Sequence, residues 1–198
     1  MKKTLFTLAF SMFILTLFAQ KNDVVYPEGL KVGDMAPNFK AIDNAGKPFS
    51  LKKELKKGEV VIVFYRGQWC PFCNKELSHL NDSLSLITAK GATVVAISPE
   101  TIENVTKTVN KTKATFPVIG DKDLSILKAY KVNYAVEGKM LETYKKYKID
   151  FTVVNGSNGN TLPVPSTYVI GKDRTVKYVF FNPDYKLRAS VQDILNHL

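Results

Sequence analysis

The chain has 198 residues, 45% of them hydrophobic, with two cysteines, two histidines and a formal net charge of +10. That length supports one domain with a real core. Lysine dominates the basic set; Arg66, Arg174 and Arg188 are the only arginines, and the lysines form only small clusters such as Lys52-Lys53, Lys56-Lys57 and Lys145-Lys146. Nucleic-acid binding concentrates basic residues on one face, often with arginine, so no nucleic-acid partner is expected.

Residues 1–19 read as a secretory signal: Lys2 and Lys3 form a basic start, Leu5 to Phe18 is mostly apolar, and Leu17-Phe18-Ala19 ends in a small residue before Gln20. The apolar stretch is short for a membrane span and lacks a basic flank immediately after it. Export to a bacterial periplasm or out of the cell is expected, with the membrane met only in transit, and a domain over residues 20–198. Removing Lys2 and Lys3 takes the formal charge from +10 to +8.

Residues 20–30 read as a linker. Asn44-Ala45-Gly46 is a turn signal between short extended segments, which predicts a small N-terminal hairpin. Ser50 is placed to cap a short helix over Leu51–Leu55. Val60-Val61-Ile62-Val63 is a β-branched block that fits a strand covered on both faces. From Pro71 onward, Phe72, Leu77, Leu80, Leu84 and Leu86 follow a roughly helical period up to Gly91. Ala92–Ser98 predicts a second central strand, Pro99-Glu100 opens a helix to about Lys113, and Phe116–Ile119 is a short strand. Asp121 or Asp123 caps a helix through Tyr130. The spacing of Tyr134, Val136, Met140, Leu141, Tyr144 and Tyr147 predicts an added helix over 134–149. A loop at 156–160 precedes two strands, Tyr168–Ile170 and Val176–Phe181, and an amphipathic helix over Leu187–Leu198. The alternation indicates an α/β architecture, a central mixed sheet flanked by helices.

The only two cysteines lie in Trp69-Cys70-Pro71-Phe72-Cys73, where the first central strand meets a helix. Pro71 suits the first helical turn, where a missing N–H costs nothing. A helix N-terminus stabilises thiolate, which is the nucleophilic form. The pair therefore reads as redox-active, cycling between dithiol and disulfide. Other readings are weaker. A structural disulfide would close a very short loop and staple little. A zinc site needs about four ligands, and only His79 and His197 are available to complete it. Two reduced core thiols do not suit an oxidising compartment.

Pro165 precedes Ser166-Thr167-Tyr168 and enters a strand. A proline at a strand's first position is common. Beside a Cys-x-x-Cys it gains a second reading, a cis proline that presents backbone to a partner near the thiols.

These segments resemble the alkyl hydroperoxide reductase/thiol-specific antioxidant group, the peroxiredoxins, within the thioredoxin-like superfamily. Val32-Gly33-Asp34-Met35-Ala36-Pro37-Asn38-Phe39 looks like the family's N-terminal signature, and Phe64 to Leu77 like its active-site segment. Pro163 to Ile170 and Asn182-Pro183-Asp184-Tyr185 look like a peroxiredoxin-like branch that carries Cys-x-x-Cys. The resemblance implies a thioredoxin-like fold, a peroxide substrate, a thioredoxin-like reductant and no cofactor or metal.

Aligned on Phe64-Tyr65, the family's Pro-x-x-x-Thr/Ser-x-x-Cys places Arg66 at the proline, Cys70 at the threonine and Cys73 at the peroxidatic cysteine. The family arginine falls at Pro165. Arg66 is then a candidate substitute charge, set against a solvent-exposed or carboxylate-paired arginine. The resemblance thus implies a thiol peroxidase in which Cys73 attacks peroxide and Cys70 resolves it. Glu76, one turn on, is a candidate hydrogen-bonding partner or a solvated helix-start acid. Trp-Cys-x-x-Cys with Pro165 before Thr also resembles thioredoxin-type thiol–disulfide oxidoreductases, in which Cys70 attacks and Cys73 resolves. A non-catalytic binding domain on this scaffold is the third reading. Expected site residues are Cys73, Cys70, Pro165 and Arg66.

Overall fold

A computed structural model describes residues 24–198; the expected signal segment at 1–19 lies outside the described residues. The predicted hairpin is present: β1 (Lys40–Ile42) pairs antiparallel with β2 (Pro48–Ser50). The Asp43 carboxylate holds its turn by accepting N–H bonds from Ala45 and Lys47 at 2.9 and 2.8 Å. A short helix α1 (Leu51–Glu54) follows, with Ser50 at the cap position but no side-chain cap bond.

β3 (Val60–Phe64) leads into α2 (Pro71–Asp82), a break at Ser83, and α3 (Leu84–Ala89). Then come β4 (Thr93–Ser98), α4 (Ile102–Thr112), β5 (Val118–Gly120) and α5 (Ser125–Ala129). The Asp121 carboxylate caps α5 by accepting the N–H groups of Ile126 and Leu127 at 2.9 and 2.8 Å. β6 (Asn133–Ala135), α6 (Gly138–Lys146), α7 (Phe151–Val154) and β7 (Thr161–Pro163) follow. β8 (Ser166–Ile170), β9 (Val176–Phe181) and α8 (Val191–Asn196) close the chain.

The central sheet has the order β5-β4-β3-β8-β9. β3, β4 and β5 run parallel, while β8 is antiparallel to both β3 and β9. This is the expected mixed sheet. β3 is wholly buried because its alternate residues serve two cores. Val60, Ile62 and Phe64 face a cluster with Leu51, Ile126, Leu127 and Tyr168; Val61, Val63 and Tyr65 face one with Leu77, Leu80, Ile87, Val105 and Ile194. The unbroken β-branched run in the sequence is the signature of that double burial.

Two elements depart from expectation. Tyr134 is in β6, paired with Leu162, rather than in a helix. Gly138, at φ +52°, interrupts the segment, so the helix begins only there. The last helix begins at Val191, capped by Ser190 through the Asp193 N–H, and not at Leu187. Residues 182–190 are thereby left to cross the end of the sheet as irregular chain.

At the opposite end, Gly58 and Gly91 bring two turns into contact: a Cβ on Gly58 would lie 1.7 Å from the Gly91 carbonyl oxygen. Backbone cannot yield as a flexible side chain does. Gly58→Ala is expected to lower unfolding stability by on the order of 1–3 kcal/mol, read from urea denaturation; an unchanged midpoint would contradict that packing.

Candidate active site

The sequence places Cys70 and Cys73 at the start of a helix because Pro71 can only begin one. Cys70 is the N-cap residue of α2, and its sulfur accepts the Cys73 N–H at 3.4 Å. The sulfur thus occupies the position of a capping oxygen, where orphan helix N–H groups and the positive dipole end favour negative charge. Both thiols are free and buried, Cys70 at 1% exposure and Cys73 at 0%.

Only Cys70 lines the main cavity, a cleft of about 970 Å³ whose lining includes Arg66, Trp69, Tyr134, Tyr144 and Tyr185. Cys73 lies behind it. The Cys73 sulfur accepts the Arg66 backbone N–H and the Arg188 Nη2–H, each at 3.4 Å.

The two thiols share one readily lost proton. The Cys73 S–H donates to Cys70, and Arg66, the Cys73 N–H and Arg188 add to this; together they outweigh burial and bring Cys70 down to about 6. Burial first, then the Cys70 charge, pushes Cys73 well above the ordinary thiol value against the pull of Arg188. Burial and the surrounding charges thus favour the thiolate on Cys70, whereas the family alignment puts the peroxidatic role on Cys73.

Arg66 lies two residues past the end of β3 and is 2% exposed. It is not solvent-exposed, and among the described residues it is not carboxylate-paired. Its guanidinium carbon sits 4.1 Å from the Tyr185 ring centre, 4.8 Å from Trp69 and 5.5 Å from Tyr144. Its Nη2 donates to the Tyr144 hydroxyl.

Glu76 is a buried acid, not a solvated one. Its Oε2 accepts from Arg188 Nε at 2.6 Å and its Oε1 from the Thr167 hydroxyl at 3.5 Å. Burial pushes its carboxyl up to about 8 against the pull of Arg188. Arg188 therefore bridges Glu76 and Cys73, reaching in from the irregular segment 182–190. It supplies a cation at the thiols although the family's arginine position holds Pro165. Sequence reasoning counted Arg188 but missed this role, because the expected helix over Leu187–Leu198 placed it on a helical face.

Glu100 and Gly67 were also missed. The Gln68 N–H donates to Glu100 Oε1 at 2.8 Å, and the Thr108 hydroxyl to Oε2 at 3.2 Å. Burial raises this carboxyl to about 7. Gly67 has φ +152°, and a Cβ there would lie 2.6 Å from Trp69 Nε1 and 2.9 Å from Glu100 Oε1. The glycine lets the loop close tightly onto the acid.

Pro165 needs correction. It is buried, but no cis peptide bond occurs among the described residues. The Val164 N–H bonds to the Val132 carbonyl at 2.8 Å, and Ser166 already pairs with Phe64. The chain runs extended from β7 into β8, a path that a trans bond carries. Pro165 does not line the main cavity. Among the described residues no group of His, Cys, Asp and Glu is arranged to hold a metal, and no helix is long and apolar enough to cross a membrane.

Arg188→Met removes one cation from the thiol pair. Its first thiolate midpoint is expected to rise by about one to three pH units, the range for an opposite charge within about 4–6 Å. Ultraviolet thiolate absorbance against pH measures it; an unshifted midpoint would show that Arg188 does not act on the thiols.

The model of the AhpC/TSA family matches residues 32–179. The chain is similar to a putative peroxiredoxin bcp of Helicobacter pylori, 27% identical over 171 residues, covering 86% of this chain and 99% of that one. It is also similar to the thiol-disulfide oxidoreductase ResA of Bacillus cereus, 33% identical over 106 residues, which covers 53% of this chain and 60% of that relative. Among solved structures, peroxidoxin BcpB of Mycobacterium tuberculosis superposes with a TM-score of 0.61 at 25% identity, covering 77% of this chain and 86% of that one. PrxQ of Xylella fastidiosa shares the fold, with a TM-score of 0.64 at 19% identity over 85% of this chain and 95% of that one. With a thioredoxin-like fold and a family match over most of its length, the chain belongs to the AhpC/TSA family.

Proposed function

We propose that the protein is a thiol-dependent peroxidase that reduces hydrogen peroxide or an organic hydroperoxide through Cys70 and Cys73. The observation that carries this reading is the Cys70 sulfur at the wall of a cavity large enough for a substrate, with the charges of Arg66 and Arg188 favouring its thiolate. In the first step the Cys70 thiolate attacks one peroxide oxygen. The O–O bond breaks, Cys70 becomes a sulfenic acid, and the leaving oxygen takes a proton to become water or an alcohol. In the second step Cys73, held next to Cys70, attacks the sulfenic sulfur, forming the disulfide and releasing water. A thioredoxin-like dithiol then reduces the disulfide by exchange and is itself oxidised. The family alignment gives the first attack to Cys73; burial and charge favour Cys70.

The reading includes export to a periplasm or beyond, which rests on the character of residues 1–19. A second reading is favoured by the same exposure order and by the similarity to ResA: a thiol–disulfide oxidoreductase in which the Cys70 thiolate attacks a protein disulfide.

Side-by-side turnover separates the two. With a thioredoxin-type reductant, peroxide is expected to be consumed catalytically and faster than a protein disulfide. In Cys73→Ser, peroxide is expected to leave a sulfenic acid on Cys70 that dimedone traps. If peroxide leaves no trapped adduct in Cys73→Ser or Cys70→Ser while protein disulfides turn over, the second reading replaces the first. An adduct only on Cys73 in Cys70→Ser would retain the peroxidase and reverse the roles of the thiols.

A further inference from the structure

Glu100 is 2% exposed and lies just past the end of β4, against the loop that carries the redox pair. None of the ion pairs among the described residues includes it. Burying a carboxyl group without a cation is costly unless hydrogen bonds replace water, and here they do. Its Oε1 accepts the Gln68 N–H at 2.8 Å; its Oε2 accepts the Thr108 hydroxyl at 3.2 Å and the Ser98 hydroxyl at 3.5 Å. The backbone beneath is seated as tightly. The Glu100 N–H donates to the Ser98 hydroxyl at 3.3 Å, and a Cβ on Gly120 of β5 would lie 2.6 Å from the Glu100 carbonyl oxygen. The carboxyl group is therefore a fixed point at the end of the sheet.

Gln68 is where the loop meets that point. Its carbonyl accepts Asn74 Nδ2–H at 2.9 Å and Lys111 Nζ–H at 3.0 Å. The Gly67 carbonyl accepts the Cys70 N–H at 3.0 Å, which closes a turn. The Arg66 N–H donates to Cys73 Sγ and the Cys73 N–H to Cys70 Sγ, each at 3.4 Å. Gln68 thus stands two residues from Arg66 on one side and two from Cys70 on the other. Buried backbone keeps its path only while its polar groups keep their partners. Asn74 rides on α2 with the cysteines, and Lys111 is exposed, where such contacts are weak. Glu100 is the buried anchor that ties this loop to the sheet.

We propose that Glu100 is a positioning residue for the thiol pair: by holding the Gln68 N–H it sets the path of residues 66–70, and with it the Cys70 sulfur at the cap of α2 and the Arg66 N–H on Cys73. The reach of its acceptor oxygen does this, not its charge. The role is the same whether Cys70 attacks a peroxide or a protein disulfide, so it stands apart from the peroxidase reading.

Two variants separate reach from charge. Glu100→Asp keeps the charge and draws the acceptor back by one methylene. Glu100→Gln drops the charge and keeps an oxygen for the Gln68 N–H, with its amide NH2 turned to the Thr108 and Ser98 hydroxyls. The first thiolate midpoint is measured by ultraviolet absorbance in the reduced protein, and the disulfide's equilibrium with glutathione beside it. Glu100→Asp is expected to raise the midpoint by about one pH unit, the scale of one hydrogen bond to a charged sulfur. Its glutathione equilibrium is expected to shift toward the disulfide by about fivefold at pH 7. Glu100→Gln is expected to keep the midpoint within about half a unit.

A contact that serves only the fold would lower the urea midpoint of Glu100→Asp and move neither thiol measurement; that result overturns the proposal. So does a Glu100→Gln midpoint raised as far as that of Glu100→Asp, which would show that an acceptor oxygen in this place is not enough. The unmodified protein gives a check that needs no variant to fold. Its Gln68 amide is expected to be protected from hydrogen exchange by about a hundredfold or more; exchange as fast as in an exposed loop overturns the clamp. None of these measurements involves turnover, so loss of the peroxidase reading leaves this inference standing, and its failure leaves that reading intact.

Discussion

Everything at this site depends on placing one negative charge between two buried sulfurs. Neither thiol has water to solvate its ionised form, so the charge exists only where protein groups replace that water. Cys70 gains the Cys73 S–H and N–H, the end of α2 and two arginines, whereas Cys73 is enclosed and feels the Cys70 charge as a cost. The surroundings of the pair are thus asymmetric: they lower the pKa of the outer thiol and raise that of the inner one.

The fold supplies that environment from widely separated segments. β3 ends at Phe64, so that Arg66 can turn its backbone N–H onto Cys73 and its side chain into the cavity. Segment 182–190 crosses above, carrying Tyr185 onto Arg66 and Arg188 onto both Glu76 and Cys73. From the other side Glu100 fixes the loop at Gln68, with Gly67 making room. Two buried acids thus adjoin the thiol pair, both lifted by burial toward the neutral range.

Local chemistry was legible in the sequence. The double-sided burial of Val60–Val63, the hairpin at Asn44-Ala45-Gly46, and Pro71 opening the cysteine helix follow from residue type and spacing alone. The partners of the cysteines did not. Arg188 lies 115 positions from Cys73, and Tyr144 lies 78 from Arg66; periodicity carries no information about such contacts. Helical spacing misled twice, at Tyr134, where cross-strand pairing with Leu162 won, and at Leu187, where Ser190 supplied a later cap. The cis expectation at Pro165 came from association with the Cys-x-x-Cys rather than from the residues around it. Pairing on both sides of that proline sets its path.

The central claim is the home of the charge, and residue-specific titration tests it most directly. NMR of isotope-labelled cysteine Cβ carbons, assigned with the single Cys→Ser variants, follows each thiol separately in the reduced protein. The account predicts that Cys70 titrates first, near 6, while Cys73 keeps its proton well past the ordinary thiol range. A titration in which Cys73 ionises first would contradict it and return the nucleophile's role to the inner cysteine.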